Sequence, residues 1–140
     1  MLRLLIATPD EKSLSLIYSI LDSALYLTPF EVTSDEVDTY TALKDRIEKK
    51  CDDVLVLDWQ MKGSETPRLV TELLQYNPRL RVVVLLPEHY RQYRRLIWEA
   101  GACNGIPKEH MDQEWLSTVL CIMYRAMERE AALSAKLSQG

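Results

Sequence analysis

Hydrophobic positions along the chain switch repeatedly between a continuous or alternating pattern and a helical one, and each switch marks a new element. Residues 2–7 form a short apolar run that Thr8-Pro9 stops, which predicts a buried strand followed by a turn. Leu14, Ile17, Leu21 and Leu25 then recur at helical spacing behind Asp10-Glu11. Negative charge there suits the positive end of a helix dipole, so a first helix runs to Ala24. Beyond Pro29, residues 30–33 alternate weakly as a second strand. Ser34 is placed to cap a second helix whose apolar face is Val37, Tyr40, Leu43 and Ile47. Residues 54–57 are continuously apolar and lead straight into Asp58, the pattern of a strand covered on both faces.

The same rhythm continues to the end of the chain. Pro67 opens a helix bearing Leu69, Val70, Leu73 and Leu74, and Asn77-Pro78 closes it. Residues 80–86 are a β-branched apolar run ended by Pro87. A helix with Tyr93, Leu96, Ile97 and Ala100 follows and stops at Gly101, and residues 102–106 make a short fifth strand. Asp112 caps a last helix that passes through Trp115, Val119, Ile122, Met123 and Ala126 into a polar, alanine-rich tail. Strands that alternate with helices imply an α/β fold with a doubly wound, five-stranded parallel sheet, because parallel strands need right-handed crossovers. Residues 1–127 read as one domain. Residues 128–140 read as a helical extension or connector, with Met127, Leu133 and Leu137 too sparse for a heptad seam.

Composition narrows the function. A chain of 140 residues with 47% apolar and 27% charged residues is an ordinary globular domain. A net charge of −4 and a pI near 5.2 supply no electrostatic drive toward nucleic acid. The first apolar run is too short for a signal-peptide core or a membrane span, so a cytoplasmic protein without membrane contact is expected. Cys51, Cys103 and Cys121 lack metal-binding or disulfide spacing and are expected to be reduced and partly buried. His89 and His110 are expected at the surface. Trp98 and Trp115 are expected to pack, and Trp59 to abut the functional pocket.

In an open parallel sheet the functional crevice lies beyond the carboxyl ends of the strands. Those ends carry residues 8–11, 58–60, 86–88 and 107–109, among which Asp58 and Lys108 stand out. The segments LRLLIATPDE, DDVLVLDWQMKG, LRVVVLLPE and EAGACNGIPKE resemble the response-regulator receiver family of two-component signalling, DDVLVLDWQMKG most specifically. The resemblance spans residues 2–127 and implies a flavodoxin-like (βα)5 fold. It implies that Asp58 is the phospho-acceptor, attacking phosphorus to give an acyl phosphate, and that Lys108 pairs with the phosphoryl group. It also implies Mg²⁺ held by two carboxylates after the first strand, by Asp58 and by the backbone carbonyl of Gln60.

The sequence departs from that pattern where the helpers should be. Thr8 and Pro9 stand at the two metal-binding acids, and Asp10 lies one residue further on, where the family often has a third acid. A ligand set of Asp58, Asp10 and Gln60 would hold Mg²⁺ weakly, since this hard cation needs several anionic oxygens. Leu86 stands where the family has a hydroxyl, Gly105 where it has an aromatic, and Glu109 where it has a proline. Without a metal, Asp58 and Lys108 are expected to neutralise each other. The expectation is therefore an atypical or pseudo-receiver that signals by protein contact, with no catalysis beyond Mg²⁺-dependent self-phosphorylation at Asp58. The alternative is a working receiver modified at Asp58 by a histidine kinase.

Expected partners are a histidine kinase or another signalling protein, or a second copy through the fourth and fifth helices. Residues 88–95 mix basic and aromatic side chains and read either as a partner surface or as a solvated face balanced by Glu88 and Glu99. A nucleotide-binding enzyme of similar topology would need a glycine loop after the first strand, and ATPDEKS has none.

Overall fold

The computed structural model describes residues 1–139, and Tyr90 by its backbone only. The strands are β1 (Leu2–Ala7), β2 (Val32–Val37), β3 (Val54–Asp58), β4 (Arg81–Leu86) and β5 (Asn104–Pro107), all parallel, in the order β2-β1-β3-β4-β5. The helices are α1 (Glu11–Leu25), α2 (Tyr40–Glu48), α3 (Thr66–Tyr76), α4 (Arg94–Glu99) and α5 (Gln113–Gln139). This is the doubly wound parallel sheet expected from the alternation, in the flavodoxin-like (βα)5 arrangement that the resemblance implies.

Each central strand alternates its side chains between two cores, which is why those strands read as unbroken apolar runs. Leu4, Ile6, Val54, Val56, Val83 and Leu85 face α1 and α5, where Ile17, Leu21, Leu116 and Leu120 cover them. Leu5, Leu55, Leu57, Val82, Val84 and Leu86 face the other helices, against Leu43, Leu73 and Ile97. Burying each such side chain contributes about 1.5–3 kcal/mol, so the layer order follows from the strand runs.

The second strand and helix depart from expectation. β2 extends to Val37, and Ser34 lies inside it. Thr39, not Ser34, caps α2, its hydroxyl accepting from the Ala42 amide at 3.1 Å. β2 is an edge strand with Ser34, Asp35 and Glu36 exposed, so neither face carried a hydrophobic signal to read. Around α4, residues 88–93 form 3₁₀ turns and only Arg94–Glu99 is α-helical. Trp98 is 70% exposed, not packed, because Ile97 turns the buried side of that short helix inward. Cys51 and Cys103 are exposed and only Cys121 is partly buried. His89 and His110 are exposed as expected, and Trp115 packs on the α1/α5 core.

α5 is a single helix of 27 residues, about 40 Å long at the standard rise. Met127 is its last side chain against the core, and Leu133 and Leu137 beyond it are 60% and 75% exposed. Gly140, the last residue of the expected extension, lies outside the described residues.

Candidate functional site

β1 is flanked by β2 on one side and by β3 on the other, so the order of the sheet reverses between β1 and β3. At such a switch point the two following loops diverge and leave a crevice above the strand ends. Thr8 leaves β1 and Asp58 ends β3 at that point, and Lys108 follows β5. The sequence-predicted pair is thus brought together, although Lys108 stands two strands away.

Asp58 is 1% exposed. Its Oδ2 accepts from Lys108 Nζ at 2.8 Å and from the Thr8 hydroxyl at 2.8 Å. Its Oδ1 accepts from the Gln60 amide at 3.0 Å, which caps the 3₁₀ turn Trp59–Met61. Lys108 Nζ also donates to Ser13 Oγ at 2.7 Å, and that hydroxyl donates to Asp10 Oδ2 at 2.6 Å. The Asp10 amide in turn donates to Thr8 Oγ1 at 3.2 Å. The five residues close a ring of hydrogen bonds in which each hydroxyl both donates and accepts, as hydroxyls can.

Asp10 does not turn to Asp58. It is the N-cap of α1, its Oδ2 accepting from the Ser13 amide at 3.2 Å as well as from the Ser13 hydroxyl. The Ser13 hydroxyl, with lesser help from backbone amides and from the positive charge of Lys108, holds the Asp10 carboxyl below its ordinary range. Ser13 was not legible as a site residue, and Thr8 was placed at the site only as the residue standing where a metal-binding acid is expected, because a single hydroxyl near a turn is common and the partners Lys108 and Asp58 are distant in sequence. The one local signal for Ser13 was its place three residues after an acidic N-cap.

The residues present do not fit a magnesium ion. Among the described residues no group of three or more His, Cys, Asp or Glu side chains is placed to hold a metal ion. One carboxylate, Asp58, is available, and both of its oxygens already accept from protein donors. Asp10, the expected second acid, is committed to the helix cap. Gln60 meets Asp58 through its amide, and a lone carbonyl adds no anionic oxygen.

The positions of the expected switch are filled by packing. Leu86, fully buried at the end of β4, has no hydroxyl. On β5, Gly105 lies against Ile97 so closely that a Cβ there would collide with its Cδ1 methyl. Trp59 is buried beside Asp58, its ring 5.0 Å from that of Tyr93.

A buried acid, Asp58, and a lysine from the end of β5 thus meet at the switch point of a doubly wound parallel sheet. No protein-family model matches the chain, and no curated protein sequence matches it. Its fold is that of response-regulator receiver domains. It is similar to a response regulator receiver domain protein from Clostridium thermocellum, with a TM-score of 0.74 at 17% identity over 95% of this chain and 99% of that one. The signal receiver domain of a DNA-binding response regulator from Colwellia psychrerythraea 34H gives a TM-score of 0.74 at 13% identity, covering 89% of this chain and 99% of that one. A Burkholderia pseudomallei response regulator bearing a phosphorylated aspartic acid and a calcium ion gives 0.67 at 12% identity, over 94% and 74% of the two chains. At these identities the likeness establishes the fold. Among the described residues no helix is long and apolar enough to cross a membrane.

Proposed function

We propose that this chain is a receiver-type signalling module of a two-component system that works without phosphate at Asp58 and transmits its signal by protein contact. The observation that carries this reading is the double occupation of Asp58 Oδ2 by Lys108 Nζ and the Thr8 hydroxyl, each at 2.8 Å. A phosphoryl group on that oxygen would displace both, and among the described residues no cluster of acids stands by to bind the cation that would offset its charge. The module is not an enzyme and needs no magnesium. Its partner is a histidine kinase or another cytoplasmic signalling protein, or through α4 and α5 a second copy of the chain, rather than nucleic acid or membrane.

The second reading is a working phospho-acceptor. It is favoured by the placement of Lys108, which a phosphoryl group could engage after one rotation of the side chain. Titration with beryllofluoride and Mg²⁺, followed by Trp59 fluorescence and by amide shifts around Asp58, separates the two. The phosphate-free module shows neither change at saturating analogue. A saturable shift centred on Asp58 and Lys108 would establish the phospho-acceptor instead.

A further inference from the structure

The strands are parallel, so their starts gather at the edge of the sheet opposite Asp58. A cavity of about 310 Å³ opens at that edge, between the start of β1, the α2–β3 and α3–β4 connections and the outer part of α5. The acids lining it among the described residues are already matched. Asp53 is bonded to Arg3 at 3.0 Å, Asp52 to Arg46 at 3.2 Å, and Glu130 to Arg81. Lys50 and Arg79 line the same cavity, and neither side chain has an ion pair or a hydrogen bond among the described residues. A cavity that keeps unmatched cations in a chain of net charge −4 favours an anion.

Two further observations point to a bound group rather than to solvated side chains. Asn77, which also lines the cavity, is 7% exposed. Its Oδ1 accepts from the Arg79 amide at 3.3 Å, which sets the orientation of the side-chain amide and leaves Nδ2 as its open end. No protein acceptor meets Nδ2 among the described residues, yet none of their side-chain nitrogens or oxygens that are sealed from solvent lacks a partner. Nδ2 therefore opens on the cavity, as a donor without an acceptor. Lys50, at φ 56°, is among the described residues the one non-glycine residue in the left-handed region. It follows α2 where glycine or asparagine is usual, so a lysine there holds its ammonium at the cavity against a backbone preference.

We infer that this cavity binds the phosphate group of a small molecule, whose oxygens accept from Lys50 Nζ, the Arg79 guanidinium and Asn77 Nδ2. All of these are donors, which selects an acceptor-only anion over an alcohol or an amide. A phosphate offers three terminal oxygens to donors that come from separate points of the wall, and the guanidinium fork fits such oxygens in pairs. The volume, at the lower end of the range for ligand pockets, leaves room for a small body beyond the phosphate. The site lies at the far edge of the sheet from Asp58 and does not depend on whether Asp58 takes phosphate.

The test titrates the full chain, in EDTA and at constant ionic strength, with inorganic phosphate, glycerol 3-phosphate and succinate, followed by backbone and side-chain amide NMR signals. Both phosphates should give saturable shifts at Lys50, Asn77 and Arg79, leave Asp58 and Lys108 unmoved, and raise the melting temperature. Tighter binding of glycerol 3-phosphate assigns an organic phosphate as the ligand, and equal binding assigns the free ion. Lys50→Gly should weaken binding ~10-fold, the loss of about one charge-assisted hydrogen bond. It should also raise the melting temperature of the free chain, a combination that a purely structural lysine would not give. Arg79→Gln should weaken binding to a similar degree. Lys49→Gln makes the same change of charge one residue away, outside the cavity, and should leave binding as it is. The inference is overturned by the absence of shifts at these residues, by shifts centred on Lys108, or by succinate binding as tightly as either phosphate. Indifference to Lys50→Gly and Arg79→Gln, or equal weakening by Lys49→Gln, would overturn it as well.

Discussion

The Cδ1 methyl of Ile97 fills the space that a side chain on residue 105 would occupy, so Gly105 is glycine because α4 packs directly on β5. Ile97 is 1% exposed, so its Cδ1 methyl must give way among packed neighbours or turn toward the groove that it and Gly105 line. Gly105→Ala should therefore destabilise the fold by about 1–3 kcal/mol through overpacking. Shortening the neighbour relieves the collision, so the Gly105→Ala, Ile97→Val double variant should be more stable than Gly105→Ala alone. Urea denaturation of the four proteins in the cycle checks this, and strict additivity would show that the two positions do not share a site.

Thr8 is 3% exposed and its hydroxyl bridges Asp58 and the Asp10 amide. Thr8→Val keeps the shape but leaves the Asp58 oxygen one donor short, at a cost of about 1–3 kcal/mol. Thr8→Ser keeps the bridge and should stay near the parent. Thr8→Asp sets a second carboxylate against Asp58. That variant should be destabilised without metal and regain melting temperature on addition of Mg²⁺, whereas the parent should be indifferent to it. Thermal denaturation with and without Mg²⁺ measures both effects.

How far the sequence foretold this site depends on what kind of contact each residue makes. Asp58 was legible because it ends the apolar run of β3, and Lys108 because it follows the short fifth strand at the same, carboxyl edge of the sheet, where the functional crevice lies. β2 was misread because an edge strand with Ser34, Asp35 and Glu36 exposed is held by backbone pairing to β1, which leaves no side-chain pattern. The exposure of Trp98 was hidden because adjacent Ile97 and Trp98 are equally apolar, and only the packing of a short helix decides which turns inward. Ser13, and the bond from the Thr8 hydroxyl to Asp58, were missed for a different reason. The two hydroxyls acquire meaning only from Asp58 and Lys108, up to 95 positions away.

Two acids outside the Asp58 pair should pull the pH dependence of stability in opposite directions. The Ser13 hydroxyl holds the Asp10 carboxyl below its ordinary value of 3.8. A lowered folded value means that its contribution is present above that value and lost as pH falls through the depressed one. Burial pushes Asp52 up, with the Arg46 guanidinium opposing. A raised folded value means that the folded state binds the proton more tightly, so protonating Asp52 stabilises the fold as pH falls. Asp10→Asn should therefore flatten the acid limb of the stability curve, and Asp52→Asn should steepen it. Urea midpoints taken from neutral pH downward test both, and equal slopes for the three proteins would refute the assignment.

Lys108 and Asp58 decide between a locked and an open site, and a double-variant cycle can measure which it is. The ion pair spans 2.8 Å, with the carboxylate side chain 1% and the lysine side chain 16% exposed. Removing one partner of such a pair leaves a buried charge unmatched, so Lys108→Met should cost about 3–5 kcal/mol. Asp58→Asn strands a largely buried ammonium, although Ser13 Oγ still accepts from it, and should cost less. With both changes no unmatched charge remains, and the double variant should be more stable than Lys108→Met alone. A coupling energy of at least ~1.5 kcal/mol is expected, within the range for residues in one hydrogen-bonded network. A coupling below ~0.5 kcal/mol is the size found for exposed pairs. It would mean that Lys108 is held there by little more than solvent-screened attraction and is free to swing toward a phosphoryl group, which would return Asp58 to the role of phospho-acceptor.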